Sequence, residues 1–490
     1  MTSAGDRQRG RIRAAFGRTR LRPEDLWVRY FALGGQAGPA DLAEFLDGTS
    51  DLPVRERDRV ALAVNEELDR ITGSDRAPYS RPLRSAEPEG GPLAALVTLL
   101  RGTHLAPPDA LPEAVVTAAH HLGVVPVLYL ADEAARTLVP LPDGPGHGRA
   151  PLSVDGTLPG RAYRLLQTQP AVGEDGQARL WVPVVDGAER VGVLDLMLAD
   201  PADLDDPNLH RHCWWLAHYL GHLVTALDAY GDTLEQVVSV RPRSARAELV
   251  RRLLPPSTAG TDRVLVAGRI EPAHDLGGDL FDYALSATRA QFAVLDATGH
   301  DLRAGLAVAA AMSAYRAARC SGAGLFEQVE AAHDAIAEHF AGHVFATGVA
   351  AELDLLTGRL RYLAAGHPPP LLLRAGKVVK HLDDGRRPLL GIEVRSTTVG
   401  EEHLQPGDTV VVHSDGITEE QDGAGRTFGV GGLVDVLQRT AAEGMPLPEV
   451  TRRVVAAILD HHTGTLQDDA TLLMVQWTAG RPDALDPAPR

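Results

Sequence analysis

Cysteine is nearly missing from this chain. Among 490 residues there are two, Cys213 and Cys320, far apart in sequence. Two isolated thiols exclude a disulfide framework and a cysteine-based zinc pattern, and they fit a reducing cytoplasm, the location expected here. Long hydrophobic runs are missing too. None reaches the length that spans a bilayer, so no membrane segment is expected. The N-terminus is rich in arginine with no apolar stretch behind it, which is not the form of a secretory signal. Positive charge is scarce overall: 48 Lys and Arg against 65 Asp and Glu, a formal net charge of −17. That balance keeps a chain soluble and argues against general nucleic-acid binding. What is present is an ordinary hydrophobic fraction, 44%, which suffices for a sizeable core. The length suggests roughly two to four domains.

The first 22 residues oppose the acidic trend, with Arg7, Arg9, Arg11, Arg13, Arg18, Arg20 and Arg22. They read as a solvated basic arm. Residues 23–72 carry apolar side chains at helical spacing, as in 41–46 and 58–63, with Pro39 and Pro53 near the helix starts, so a small helical module is expected. Residues 73–91 are rich in Pro, Ser and Gly and read as a linker. Residues 92–206 read as a domain of mixed type, with a helix over 111–121 and strands over 124–130, 179–185 and 190–196. The helix before the first strand, the turn Gly156-Thr157…Gly160-Arg161 into a helix, and the last strand "VGVLDL" together resemble a GAF domain over about a hundred residues. That resemblance implies a small-molecule sensor whose ligand is unknown.

Leu209, Cys213, Leu216, Leu220, Leu223, Leu227, Tyr230, Leu234 and Val237 then recur at alternating spacings of four and three. Such a heptad predicts a parallel two-stranded coiled coil, and with it a homodimer. The alternative is one amphipathic helix lying on its own domain. Pro207 precedes this helix and Pro242 ends it. A short helix over 245–254 follows, stopped by Pro255-Pro256. Residues 207–254 are thus expected to be linker helices.

From residue 255 to 477 a single design recurs: an apolar strand with a carboxylate at its end. Strand 264–270 leads to the segment ending in Gly277-Gly278-Asp279, strand 292–295 leads to Asp296, and strand 409–412 leads to His413-Ser414-Asp415-Gly416. Gln467-Asp468-Asp469-Ala470-Thr471 runs into strand 472–476. Asp279 and Asp296 flank a predicted β-hairpin. Each Asp alone reads as an ordinary turn or capping residue. Converging carboxylates need a cation if they are to ionise together, and an oxygen-only cluster suits Mg²⁺ or Mn²⁺.

The motifs "GGDLFD" at 277–282, "DATGH" at 296–300, "LAAGHPPPLL" at 363–372, "LLGI" at 389–392, "LQPGDTVVVHSDGITE" at 404–419, "FG" at 428–429 and "QDDATLL" at 467–473 resemble a SpoIIE-type phosphatase. That is the bacterial branch of the protein phosphatase 2C superfamily. The resemblance implies an αββα sandwich of two antiparallel sheets flanked by helices. The whole chain is then an α+β multidomain protein: helical module, GAF-like domain, coiled-coil linker, phosphatase domain over 255–477 and a disordered tail over 478–490. It also implies two Mn²⁺ or Mg²⁺ ions. Asp279 and Asp296 would be ligands, Asp296 bridging, with the Ala297 carbonyl completing one shell. Asp415 and Asp468 would serve the second ion, with the adjacent Asp469 an alternative to Asp468. The implied activity is hydrolysis of phosphoserine or phosphothreonine, and the implied substrate a phosphorylated STAS-type anti-sigma factor antagonist. The competing reading is a pseudophosphatase acting as a ligand-sensing scaffold. Where the family commonly has GHG, this chain has Gly299-His300-Asp301. Asp301 is expected either to cap the next helix or to perturb the site. His300 is a conceivable general acid, and His367 is expected to order its loop.

Overall fold

The computed structural model describes residues 4–71, 77–80, 88, 90–142, 148–173, 176–239, 245–272, 278–299, 301–340, 342, 344–392, 396–462 and 466–478. The chain divides into two compact units, Met1–Pro88 and Glu89–Arg490.

The first unit is helical: α1 (Ala4–Phe16), α2 (Pro23–Ala32), α3 (Pro39–Asp47) and α4 (Val54–Ile71). The expected basic arm is corrected here. Residues 4–16 form a helix whose Ile12 and Ala15 are buried with Leu26, Tyr30, Phe45 and Val60 in one core. Arg7, Arg11 and Arg13 stay exposed on its outer face. The apolar residues of α1 are sparse, so arginine dominates its composition while two inward positions decide its packing.

The second unit begins with α5 (Gly91–Thr103) and α6 (Leu111–Ala119). A sheet domain follows: β1 (Val124–Ala131), β2 (Thr137–Pro140), β3 (Leu152–Ser153), α7 (Leu158–Leu165), β4 (Gln169–Val172), β5 (Ala178–Asp186) and β6 (Glu189–Leu198). The strand order is β3-β2-β1-β6-β5-β4, antiparallel throughout. Helices α5, α6 and α8 (Pro207–Asp228) cover one face, and α7 packs on the other through Ala162 and Tyr163.

The coiled coil is also corrected. Cys213, Leu216, Leu220 and Leu227, four of the heptad positions, are buried in the core of the chain's own sheet domain. Helix α8 lies so close to β5 that a Cβ on Gly221 would stand 2.1 Å from the Val185 carbonyl oxygen. The helix ends at Asp228, and Leu234 and Val237 belong to a separate short helix, α9 (Thr233–Val238). A heptad and a half-buried helix on a sheet present the same apolar stripe, and the sheet was the available partner. The seam on which a parallel homodimer was expected is thereby spent within one chain. Pro242 lies outside the described residues. Helix α10 (Ala245–Leu253) follows.

The remainder is a sandwich. Its elements are β7 (Thr258–Gly260), β8 (Val264–Glu271), β9 (Asp279–Leu285), β10 (Arg289–Ala297), α11 (Leu302–Cys320), α12 (Leu325–Phe340), β11 (Ala346–Asp354), β12 (Arg359–Ala365), β13 (Leu371–Arg374), β14 (Lys377–His381), β15 (Arg386–Arg387), β16 (Gly400–His403), β17 (Thr409–His413), α13 (Asp415–Thr418), α14 (Gly429–Ala442), α15 (Leu447–His461) and β18 (Ala470–Trp477). One sheet runs β15-β12-β11-β10-β9, with β16 also on β12. The other runs β14-β13-β17-β18-β8-β7. All pairings are antiparallel except the short β12–β15 pair, which is parallel.

Strand β10 shows why the layers form. Phe292 and Val294 point between the sheets and meet Val266, Val412 and Leu473, while Ala293 and Leu295 point outward to Ala307, Met312 and Ile336 of α11 and α12. Side chains alternate at period two, so a strand apolar on both faces must be covered on both. Helices α14 and α15 cover the second sheet in the same way through Leu433 and Val454. Burying each such side chain is worth about 1.5–3 kcal/mol before entropy is counted.

Candidate active site

The hairpin β9–β10 sets the first two carboxylates. In its register Asp279 pairs directly with Asp296. The turn into β9 is held by a hydrogen bond from the Ala297 N–H to the Gly278 carbonyl, 2.9 Å. A Cβ on Gly278 would lie 2.3 Å from the Ala297 carbonyl oxygen, so this position admits no side chain. Gly277 and His300 lie outside the described residues.

The other carboxylates come from the second sheet. Asp415 opens α13 just after β17, and Asp468 and Asp469 immediately precede β18. Ser414 ties these two chain ends together. Its Oγ donates to the Asp469 carbonyl at 3.0 Å and accepts from the Thr471 N–H at 2.9 Å. Gly416 is required for the same approach, since a Cβ there would stand 2.2 Å from the Asp469 carbonyl oxygen. Thr471 then joins the two sheets: its hydroxyl donates to Asp279 Oδ2.

Burial is the main force that pushes the Asp279 carboxyl well above its ordinary range, and the charges of Asp296 and Asp469 add to it. The Thr471 hydrogen bond acts the other way. Asp296 is pushed up to about 7, again by burial first and then by Asp415, Asp468 and Asp469. Asp296 therefore feels carboxylates from three other strand ends at one edge of the sandwich. Among the described residues no group of three or more His, Cys, Asp or Glu side chains is placed to hold a metal ion. The donor chemistry nonetheless fits hard divalent cations: the groups are oxygen donors of like charge, and burial leaves the charges of Asp279 and Asp296 poorly compensated.

Asp468 and Asp469 differ in position. Asp469 is 6% exposed, whereas Asp468 is exposed and lines an open cavity of about 530 Å³ together with Asp415, Glu419 and Gln467. Asp301 is the N-cap of α11, its Oδ1 accepting from the Ala304 N–H at 2.9 Å. His367 lies buried with Nδ1 2.8 Å from the Thr347 hydroxyl, which pins its loop to β11. Burial, with the neighbouring His413, pushes its pKa down to about 3 and keeps it neutral. Sequence reasoning missed Ser414 and Thr471. Their signal was slight, being hydroxyl residues adjacent to strand-end carboxylates.

A family model described as stage II sporulation protein E (SpoIIE) matches residues 286–478, a span that contains Asp296, Asp415 and Asp468 and begins beyond Asp279. Protein IcfG of Synechocystis sp. (strain ATCC 27184 / PCC 6803 / Kazusa) is 26% identical over 140 residues, covering 28% of this chain and 22% of that protein. Among solved structures, the RsbU and RsbW domains of Rv1364c from Mycobacterium tuberculosis are 27% identical with a TM-score of 0.40, over 45% of this chain and 63% of that one. The PP2C phosphatase domain and regulatory fragment of SpoIIE from Bacillus subtilis are 19% identical with a TM-score of 0.38, over 44% and 64%. Residues 286–478 of this chain are thus similar to the SpoIIE family.

Proposed function

We propose that this protein is a Mn²⁺- or Mg²⁺-dependent protein phosphatase acting on phosphoserine or phosphothreonine. The observation that supports this reading is that Asp296 feels the charges of Asp415, Asp468 and Asp469 and lies opposite Asp279, all of them at strand ends of the two sheets. Asp279, Asp296 and the Ala297 carbonyl would hold one ion, and Asp296, Asp415 and Asp468 the other. When bound, the ions supply charge neutralisation for the phosphate and activation of a water molecule. The protein's part is positional. Thr471 orients the Asp279 carboxylate, and Ser414 with Gly416 keeps the Asp415 turn against the Asp468–Asp469 segment. The SpoIIE-type motifs favour a phosphorylated STAS-type anti-sigma factor antagonist as the substrate.

In this reading the sheet domain is a GAF-like sensor for a small ligand and regulates catalysis through α9 and α10. Glu235 of α9 pairs with Arg251 and Arg252 of α10, the latter at 3.3 Å. Val250 of α10 is buried against α11. Arg316 of α11 donates to the Leu253 carbonyl and, at 2.7 Å, to Asp282 on β9, the strand that starts at Asp279. A shift of α10 therefore has a short mechanical route to the site.

The test is hydrolysis of a phosphorylated STAS protein, and of p-nitrophenyl phosphate, with and without Mn²⁺. Metal-dependent release of phosphate supports the reading. No release from either substrate overturns it and leaves the scaffold alternative.

A further inference from the structure

Where the sheet domain meets the sandwich there is a cavity of about 230 Å³, lined by Arg136 and Asp155 from the first and by Arg269, Arg452, Leu459 and Asp460 from the second. Its cations are not equally satisfied. Arg452 donates to both oxygens of Asp155, at 2.9 and 2.7 Å, and to buried Glu449 at 2.9 and 2.8 Å. Arg269 is worse provided for. Its Nη2 reaches the Glu133 carbonyl at 3.3 Å, its ion pair with Glu271 is 3.9 Å long, and its Nε is buried without a hydrogen-bond partner.

Glu271 is shared. Arg136, from the other domain, also approaches it, at 3.4 Å. Two guanidiniums thus divide one carboxylate at long range. Burial lowers the pKa of Arg269, and the charges of Arg190 and Arg136 lower it further against the pull of Glu271 and Tyr163. Arg269 thus has no carboxylate within close reach among the described residues, and a buried donor left unused costs free energy.

We propose that this cavity binds a small phosphate-type anion, held between Arg136 of the sheet domain and Arg269 of the sandwich. A guanidinium fork matches phosphate oxygens in pairs. The cavity is smaller than the roughly 300–1,000 Å³ of sites for drug-sized ligands, so it takes an inorganic anion or a compact phosphate ester. Asp155 is already engaged by Arg452, and Asp460 is exposed at the rim. An anion here would bridge two domains. It would also act beside the carboxylate cluster, because Glu271 stands opposite Ala470 in the β8–β18 register, next to Asp469.

The experiment uses the full chain in excess EDTA, where the bare carboxylates of the phosphatase site repel phosphate. Thermal melting is followed while inorganic phosphate is titrated, against chloride at equal ionic strength. A ligand that binds the folded state raises Tm with concentration. The expected result is a rise above the chloride control in the wild type, no rise in R269Q, and a half-saturating concentration increased about tenfold or more in R136Q, the loss of one charge-assisted contact. Arg136 is half exposed, so R136Q decides the matter if R269Q fails to fold. A parallel titration with glycerol 3-phosphate tells whether free phosphate or an ester is the better occupant. No rise above chloride, or an equal response in R136Q and the wild type, overturns the proposal. Phosphatase activity plays no part in this readout, so it stands or falls apart from the proposed function.

Discussion

Asp279 and Asp296 stand directly opposite one another in the β9–β10 register, at the open end of the hairpin. Cross-strand partners have Cβ atoms about 4.5–5.5 Å apart, so like charges placed there destabilise the fold. The protein keeps this unfavourable pair, buries it, and adds Asp415 and Asp468 beside it.

Replacing Asp296 with Ala removes the carboxylate at the centre of that repulsion. The variant should lose metal-dependent hydrolysis while its Tm stays equal or rises, because a buried like charge is gone. Phosphate release and a thermal melt check this together. Wild-type activity in that variant would remove Asp296 from the site.

Thr471→Val keeps the shape of the side chain and deletes the hydroxyl that donates to Asp279. An unpaired buried acceptor costs about 1–3 kcal/mol. The concentration of Mn²⁺ giving half-maximal rate should rise, and Thr471→Ser should restore it. An unchanged metal requirement in the Val variant would show that Thr471 does not orient Asp279.

Leu220→Lys distinguishes the two uses of the heptad. Leu220 is fully buried within the sheet domain's own core, so the charge should destabilise that domain by several kcal/mol, as expected for an unpaired buried cation. A coiled-coil role predicts instead a change in mass by light scattering with the domain still folded.

Glu449 offers a pH test at the junction of the two domains. Burial alone would raise its pKa, but Arg452, Arg190 and Arg453 hold it below the usual glutamate value. A carboxyl whose folded pKa is depressed contributes stability above its unfolded pKa, and this is lost as pH falls through the folded value. Glu449→Gln should therefore be destabilised at pH 7, by about 3–5 kcal/mol if Arg452 is left without a buried partner, and the gap to the wild type should narrow below about pH 4. Chemical denaturation at the two pH values measures it.

Inserting three or four residues after Val238 separates Glu235 from Arg251 and Arg252 without touching either core. If α9 and α10 transmit regulation, the basal rate should change. An unchanged rate and metal dependence would reduce the connection to a tether.

The apolar strands flanked by Asp279, Asp296, Asp415 and Asp468 were legible in the chain itself, because period-two burial is a local requirement written residue by residue. The same held for the helices over 23–72 and for strands β1, β5 and β6. Partner choice was not local. The stripe Leu209–Val237 satisfies a second helix or a sheet equally well, and the sheet won because Gly221 lets α8 settle on β5. The arginines of residues 4–16 masked the two inward positions that fold α1 into the helical core. Thr471 and Ser414 became site residues only when β18, β9 and β17 converged, and Arg136 and Arg269, more than a hundred residues apart in sequence, came to line one cavity only because the two domains pack together. Spacing along a chain specifies which face of an element is apolar, but which surface covers that face is decided by what the folded chain brings within reach.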